Sequence, residues 1–428
     1  MPIPLRPQLR PLDIVPVGRK EELLFAVRDP EGFSRPIVVS YGAAIQAALM
    51  DGRHTLAEIQ TGFQSHVGAP VALAELERFV GQLDEAYLLA GPRFEDHSGR
   101  QIQQYLANPV RPAAHARGAY EGDPEALKKQ LSEFFTSGEG PGGLDTDPAG
   151  GPGRDARRLC AVVSPHIDLA RGGPTFAWAY HRLVRQSDAD LFVIFGTAHT
   201  PMQQLFCISR KDFDTPLGVV HTDGRFVDRV AEHLASSVAG RQVDLFEDEA
   251  AHRHEHSIEF QVMFLQHVLG GKRDFRIVPV LAGSFQEFIQ QGTSPDESPE
   301  VQATIAAFRA AAAEHSGGVC YVSGADLAHV GRRFGDDGLL EKRHLDEQSE
   351  DDRKLIETAC RCDAAGLFRH VAGQNDRRRI CGLAPTYMML QVADAACGEL
   401  LRYDQAVEPD GTSCVSFASL AFYDRQPG

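Results

Sequence analysis

The sequence predicts an α/β protein, with a mostly parallel or mixed central sheet flanked by helices and a small winged-helix-like domain in front of it. From residue 158 onward, short apolar runs of strand length alternate with helical segments, as in a sheet covered on both faces. Three of those runs end in polar, chemistry-bearing residues. The chain of 428 residues is also long for one core, since single domains usually run to about 100–200 residues.

In chain order, residues 22–28 (ELLFAVR) and 36–40 (PIVVS) read as strands joined by the turn-forming Asp29-Pro30-Glu31-Gly32. Three short helices follow. Asp51-Gly52 ends the first, Thr55 and Glu58 form a capping box for the second, and Leu73, Leu76, Val80 and Leu83 recur at helical spacing in the third. A unit of this order, residues 1–92, is either a winged helix or a helical bundle decorating the larger domain. Residues 41–91 set Arg53 and Arg78 against Asp51, Glu58, Glu75, Glu77, Asp84 and Glu85, which excludes DNA binding and leaves peptide docking. Residues 93–114 read as a linker. Within the large domain, 115–428, a helix over 120–136 is entered through Asp123-Pro124. Residues 137–155, rich in Gly, Pro and Asp, are expected to form a flexible loop, because they offer little apolar area to bury.

The three informative runs are Leu159 to Val163, leading into Ser164-Pro165-His166; Leu191 to Phe195, leading into Gly196-Thr197-Ala198-His199; and Val319 to Val322, leading to Asp326 and His329. Ligands of open α/β sheets bind outside the carboxyl ends of the strands, so this recurrence puts His166, His199, Asp326 and His329 on one rim. His166 and His199 follow adjacent predicted strands and read as metal ligands, whereas Asp326 and His329 would orient ligands or move protons. A fourth run, Arg276 to Leu281, ends without a polar side chain and lends only backbone. Residues 252–256 (His-Arg-His-Glu-His) open a helix on which Glu255 pairs with Glu259, and His252 with His256, at i, i+4. The run is not HExxH, so a zincin is not supported. Glu255 and His256 are candidates for catalysis or for helix capping and packing. Cys381 precedes Gly382 and a Pro385-led helix, where a thiol has a lowered pKa suited to metal ligation or nucleophilic attack.

Composition narrows the partners. A formal charge of −16 repels phosphate backbones and anionic lipid. The densest basic run, Arg377 to Arg379, reads as solvated surface. The eight cysteines form no CxxC pair and are expected to stay free in a reducing cytoplasm; Cys160, Cys207, Cys320, Cys397 and Cys414 lie in or beside apolar runs and read as inert core. There is no signal-like start, and no apolar stretch approaches the roughly 18 residues of a membrane span.

Several long motifs carry a resemblance to the Memo family: SPHIDLARGG, FGTAH, TPLGVVHTD, EHSIEFQVMFLQ, IVPVLAG, SGADLAH, ICGLAPTYMML and CVSFASLAFYD, in family order across about residues 115–428. LMDGRHTLAEI and ELERFVGQLDEAYLL resemble PqqD-like domains, which bind peptides by adding a strand to their sheet. Together they point to the bacterial branch called AmmeMemoRadiSam system protein B, and so imply a radical SAM protein and an AMMECR-type protein as partners. The family fold resembles class III extradiol dioxygenases, non-haem iron enzymes. By motif, His166, His199 and Cys381 stand at the metal positions, and Asp326, His329 and His256 match other pocket residues. The implied cofactor is a divalent metal, iron first, with copper or zinc as alternatives. Where the family has PHAGY this chain has PHIDL, so Leu169 replaces a tyrosine and Asp168 appears beside the first histidine; Asp168 is expected to join the metal or, by preference, to hydrogen-bond its ligands. Three functions stay open at this level: a metal-dependent redox enzyme, a non-catalytic metal- or peptide-binding adaptor, and a metal-free Cys381 nucleophile.

Overall fold

A computed structural model describes residues 3–17, 23–144, 157–237 and 243–424. The chain divides into two compact units, Met1–Ala107 and Asn108–Gly428.

The first unit holds a three-stranded antiparallel sheet of β1 (Asp13–Val17), β2 (Leu24–Arg28) and β3 (Ile37–Ser40), in that order. Helices α1 (Tyr41–Ala48), α2 (Leu56–Val67), α3 (Leu73–Glu85) and α4 (Pro92–Ala107) follow. The Thr55–Glu58 capping box is present at α2, and Gly68 closes that helix in the left-handed region at φ 76°. Leu76, Val80 and Leu83 of α3 are buried against Ile59, Leu88 and Leu89. The expected linker is largely α4. Only Tyr105 of that helix is buried.

The second unit begins with β4 (Val110–Arg111) and α5 (Pro124–Thr136), the latter capped by Asp123 as expected. Then come β5 (Leu159–Ser164), α6 (Leu169–Gln186), β6 (Leu191–Thr197), β7 (Phe206–Ile208), β8 (Asp212–Thr215), β9 (Gly218–Val220) and α7 (Gly224–Ser237). A 3-10 turn, Glu249–His254, leads into α8 (His256–Leu269), β10 (Arg276–Ala282), α9 (Gln286–Gln291), α10 (Pro299–Ala313), β11 (Val319–Gly324) and β12 (His329–Val330). The chain ends with α11 (Lys342–Cys360), α12 (Ala364–Ala372), α13 (Leu383–Ala393), β13 (Cys397–Val407) and β14 (Cys414–Tyr423).

The main sheet runs β12-β14-β5-β11-β6-β10-β7, with β13 paired to β14. Its centre, β5-β11-β6-β10, is parallel, while β7 and β14 join antiparallel, so the sheet is mixed. Alternation along each strand feeds two cores. Leu191, Val193 and Phe195 of β6 pack on the α7, α10 and α13 side, and Phe192 and Ile194 face α6 and α8. Phe264 of α8 stacks on Phe176 and Tyr180 of α6, closing the second layer.

Of the loop expected at 137–155, residues 145–155 lie outside the described residues. The part before it is held: Trp178 Nε1 donates to the Glu139 carbonyl at 2.9 Å, and Gly142 N to the Phe135 carbonyl at 2.9 Å. Among the described residues no helix is long and apolar enough to cross a membrane.

Candidate metal centre

Each of three neighbouring strands delivers a side chain two residues past its end: β5 gives His166, β11 gives Asp326 and β6 gives His199. The two histidine strands are not neighbours, as their order in the sequence suggested. β11 lies between them, and Asp326 therefore rises between the histidines. Its carboxylate accepts the His166 backbone N–H at 3.0 Å and reaches within 3.7 Å of His166 Nε2.

The third histidine comes from α8. Glu255 is the N-cap of that helix, accepting from Ser257 N at 2.9 Å, and it is 4% exposed. Its remaining acceptor capacity goes to imidazoles. His199 donates its backbone N–H to Glu255 at 2.9 Å, His199 Nδ1 lies 3.1 Å from both carboxylate oxygens, and His256 Nδ1 lies 3.3 Å from Oε1. His166 Nδ1 sits 2.9 Å from the Gly324 carbonyl. A carbonyl and a carboxylate only accept, so these contacts place hydrogen on Nδ1 and make Nε2 the nitrogen that would bind a metal once its own proton is lost. The rings of His166, His199 and His256 stand 4.8 to 5.4 Å apart. Each offers one ligand atom within 4.8 Å of the others'.

Cys381 completes the cluster from the start of α13. Its Sγ lies 3.4 Å from His166 Nε2, and Thr197 Oγ1 at the end of β6 donates to the Cys381 carbonyl at 3.2 Å. Burial opposes ionisation of this thiol, but the charges of His166 and His329 and the bond to His166 outweigh it and hold Cys381 down at about 5. The same contacts act in reverse on His166: burial disfavours its charge, yet Asp326 and Cys381 raise it to about 9. For His199, burial is likewise overcome by Glu255 and Cys381, raising it well above its ordinary value. His256, desolvated and next to two other imidazoles, is driven well below, and Glu255 is held ionised against burial by His199 and His256.

Most other thiols behave as inert core. Cys160, Cys207, Cys320 and Cys414 are buried, and burial raises all four, Cys320 and Cys414 to about 12. Cys397 is half-buried and accepts from Arg157 at 3.1 Å.

Four sequence expectations need correction. Asp168 neither ligates nor bonds the histidines: it caps α6, accepting from Arg171 N at 3.2 Å and pairing with the Arg171 guanidinium. His252 does not share a face with His256, because the 3-10 turn intervenes. It is buried, with Nε2 3.2 Å from the Cys207 carbonyl. The Arg377–Arg379 run is solvated at Arg377 but not throughout. Arg378 is buried between Asp351 and Asp352, and Arg379 pairs with Asp336 at 2.7 Å while donating to the His329 carbonyl at 3.2 Å, which braces the loop leading to Cys381. Finally, the segment expected to be a linker ends in Arg111, a wholly buried guanidinium that bonds to Glu259. A buried glutamate on the apolar α8 needs a cation, and Glu259 in IEFQVMF was the signal for one.

His329 stands apart from the three-histidine group, its Nδ1 3.2 Å from the Leu327 and Arg379 carbonyls. A cavity of about 280 Å³ opens beside the centre, lined by His199, Cys381, Phe285, Arg379 and Leu383. A larger cleft of about 1070 Å³ lies at the opposite strand ends, by Asp190, Arg276 and His315, and holds none of these residues. Imidazole nitrogens with a thiolate suit zinc, copper or iron and are a poor match for magnesium or calcium, which take oxygen.

Comparison with known proteins agrees with this architecture. Residues 111–421 match the family model described as Memo-like protein. A MEMO1 family protein of Aquifex aeolicus is 26% identical over 427 residues, covering 98% of this chain and all of the relative. MEMO1 family proteins of Methanothermobacter thermautotrophicus and Sulfolobus acidocaldarius are each 28% identical, covering 73% and 74% of this chain and the whole of each relative. With the family model spanning most of the chain and the motif histidines gathered at one strand-end rim, the protein belongs to the Memo family.

Proposed function

We propose that the protein is a metal-dependent redox enzyme whose ion, iron ahead of copper or zinc, is held by His166, His199 and Cys381 with His256 beside them. One observation carries the reading: three imidazoles turn their Nδ1 atoms to fixed oxygen acceptors, and each offers a ring nitrogen within 4.8 Å of the others'. Bound there, iron or copper would supply one-electron and oxygen chemistry. The chain's own residues supply the rest. Glu255 orients His199 and His256, Asp326 orients His166, and His329 moves protons next to Cys381. The 280 Å³ cavity admits a small substrate. The likeness to class III extradiol dioxygenases, and a pathway with a radical SAM protein and an AMMECR-type protein in the cytoplasm, belong to this proposal and rest on motif resemblance.

A second reading, a non-catalytic adaptor, is favoured by the first unit. As a PqqD-like winged helix it would take a peptide along β3, an edge strand of its own sheet that leaves Val38 62% exposed.

Metal analysis of anaerobically purified, untagged protein tests the first reading. Near-stoichiometric metal is expected in the wild type and none in the His166→Ala, His199→Ala double variant; no metal in either protein, even after reconstitution, removes the enzyme reading. His329→Ala then separates the two readings, since an enzyme loses function with metal retained and an adaptor does not.

A further inference from the structure

His199 and His256 are oriented by Glu255, and something must orient Glu255. It lies where the 3-10 turn Glu249–His254 gives way to α8, a junction at which backbone direction changes and helix N–H groups lack partners. Arg111, 0% exposed, occupies the inside of that bend. Its Nε donates to the His252 carbonyl at 2.8 Å and its Nη2 to the Glu255 carbonyl at 2.7 Å, one contact on each side of the junction. Its Nη1 bonds to Glu259, one turn into α8, and to the Pro112 carbonyl at 3.1 Å. The segment after Arg111 closes on the same carboxylate. Glu259 accepts Ala114 N at 3.1 Å, His115 N at 3.0 Å and the Tyr120 hydroxyl, while His115 Nε2 lies 3.0 Å from the His254 carbonyl. Residues 111–120 thus grip 252–259 at four backbone or carboxylate points, and the His115 ring stands edge-on to His256 at 5.7 Å.

We propose that Arg111 is the positioning residue of the metal centre: by fixing the His252 and Glu255 carbonyls, its guanidinium sets the direction of the Glu255 carboxylate and through it the rings of His199 and His256. The inference rests on the metal reading above but concerns a residue that touches neither ligand nor cavity. A planar fork with donors at fixed angles is needed to hold two carbonyls and a carboxylate together, and a lysine ammonium keeps the charge without the fork. The Arg111–Glu259 pair also stabilises the fold, because removing either partner leaves a buried charge uncompensated. A variant that alters both is therefore the informative one.

The test is cobalt(II) titration of the full chain stripped of metal, read by the visible spectrum of the bound ion, alongside the melting temperature of the metal-free protein. Glu259→Gln is expected to lower the melting temperature, because it leaves Arg111 unpaired, yet it keeps both carbonyl contacts and, where folded, binds cobalt with the wild-type affinity and spectrum. Arg111→Lys, and the charge-neutral Arg111→Met, Glu259→Gln pair, are expected to bind about tenfold more weakly or worse, the scale seen when groups that orient metal ligands are lost, with a changed spectrum in folded protein. A folded double variant with wild-type affinity and spectrum overturns the proposal; should that variant not fold, wild-type affinity and spectrum in Arg111→Lys overturn it equally. If the wild type takes up no cobalt, the metal reading fails by itself. The clamp is then judged from the ring-nitrogen chemical shifts of His199 and His256, which move in Arg111→Lys but not in Glu259→Gln if the guanidinium aims Glu255, and in neither if it does not.

Discussion

At the scale of single residues, Cys381 differs from the thiols around it in charge rather than in covalent chemistry. Burial, joined at Cys360 by neighbouring thiols and acids, raises Cys320, Cys360 and Cys414 to about 12, while His166 and His329 overturn the same penalty at Cys381 and bring it to about 5. The reactive species is the thiolate. Iodoacetamide at pH 6.5 is therefore expected to modify metal-free protein once, at Cys381, and to be blocked by bound metal. Peptide mapping decides it: labelling that falls first on Cys397, or that proceeds unchanged with metal present, would count against Cys381 as a ligand. The special character of Cys381 was legible in sequence from its place before Gly382 and a helix. The part taken by His256 was less so, because a histidine one residue past a helix cap reads equally as packing until Glu255 is seen to face His199.

At the scale of elements, the centre depends on how closely α8 approaches the strand ends. A Cβ built on Gly324 would lie 2.4 Å from the Ser257 carbonyl oxygen, and one on Gly196 would lie 2.5 Å from Ser257 Oγ. Both glycines face the first turn of α8, and at Gly324 the obstacle is backbone, which cannot step aside as a side chain tip can. Gly324→Ala is expected to cost about 1–3 kcal/mol, as overpacked cores do, and to weaken metal binding by pushing Glu255 and His256 away; denaturant melts paired with metal titration check both. The strands themselves were legible, since runs such as LFVIF and VCYV are buried almost from end to end. Less legible were α4, whose largely polar composition looks like a linker, and the burial of Arg378, because a run of three arginines looks the same on a surface as inside an acidic cluster.

At the scale of the whole molecule, the histidines outside the centre make stability depend on pH. Burial holds His252 neutral, down at about 3, and burial together with neighbouring cations brings His254 and His267 to about 4. These folded values lie below the unfolded value near 6.5. Between the two, the unfolded chain binds more protons, so the stability is whole above about pH 6.5 and falls as the pH drops. His256 and Cys381, also depressed in the folded protein, add to the same fall, whereas His166 and His199 shift the other way and oppose it only close to pH 6.5, before the unfolded histidines are fully protonated. The melting temperature of metal-free protein should fall from pH 6.5 to 5, with up to about 1.4 kcal/mol per pH unit arising from His252. His252→Gln flattens that fall if the assignment holds and leaves it unchanged if it does not.

The position of β11 between β5 and β6 also has a bearing on biosynthesis. When the ribosome has made both strand-end histidines, the slot between their strands is still vacant, and it can fill only once Gly324 has emerged. Cys381 follows later still. Strand pairings so distant along the chain form slowly, so a nascent chain carries its imidazoles on an unfinished sheet while the residues between His199 and Gly324 are made. The rim is thus complete only after synthesis, when α8, β11 and the α13 turn have come together, and a metal taken up there would meet a site already built.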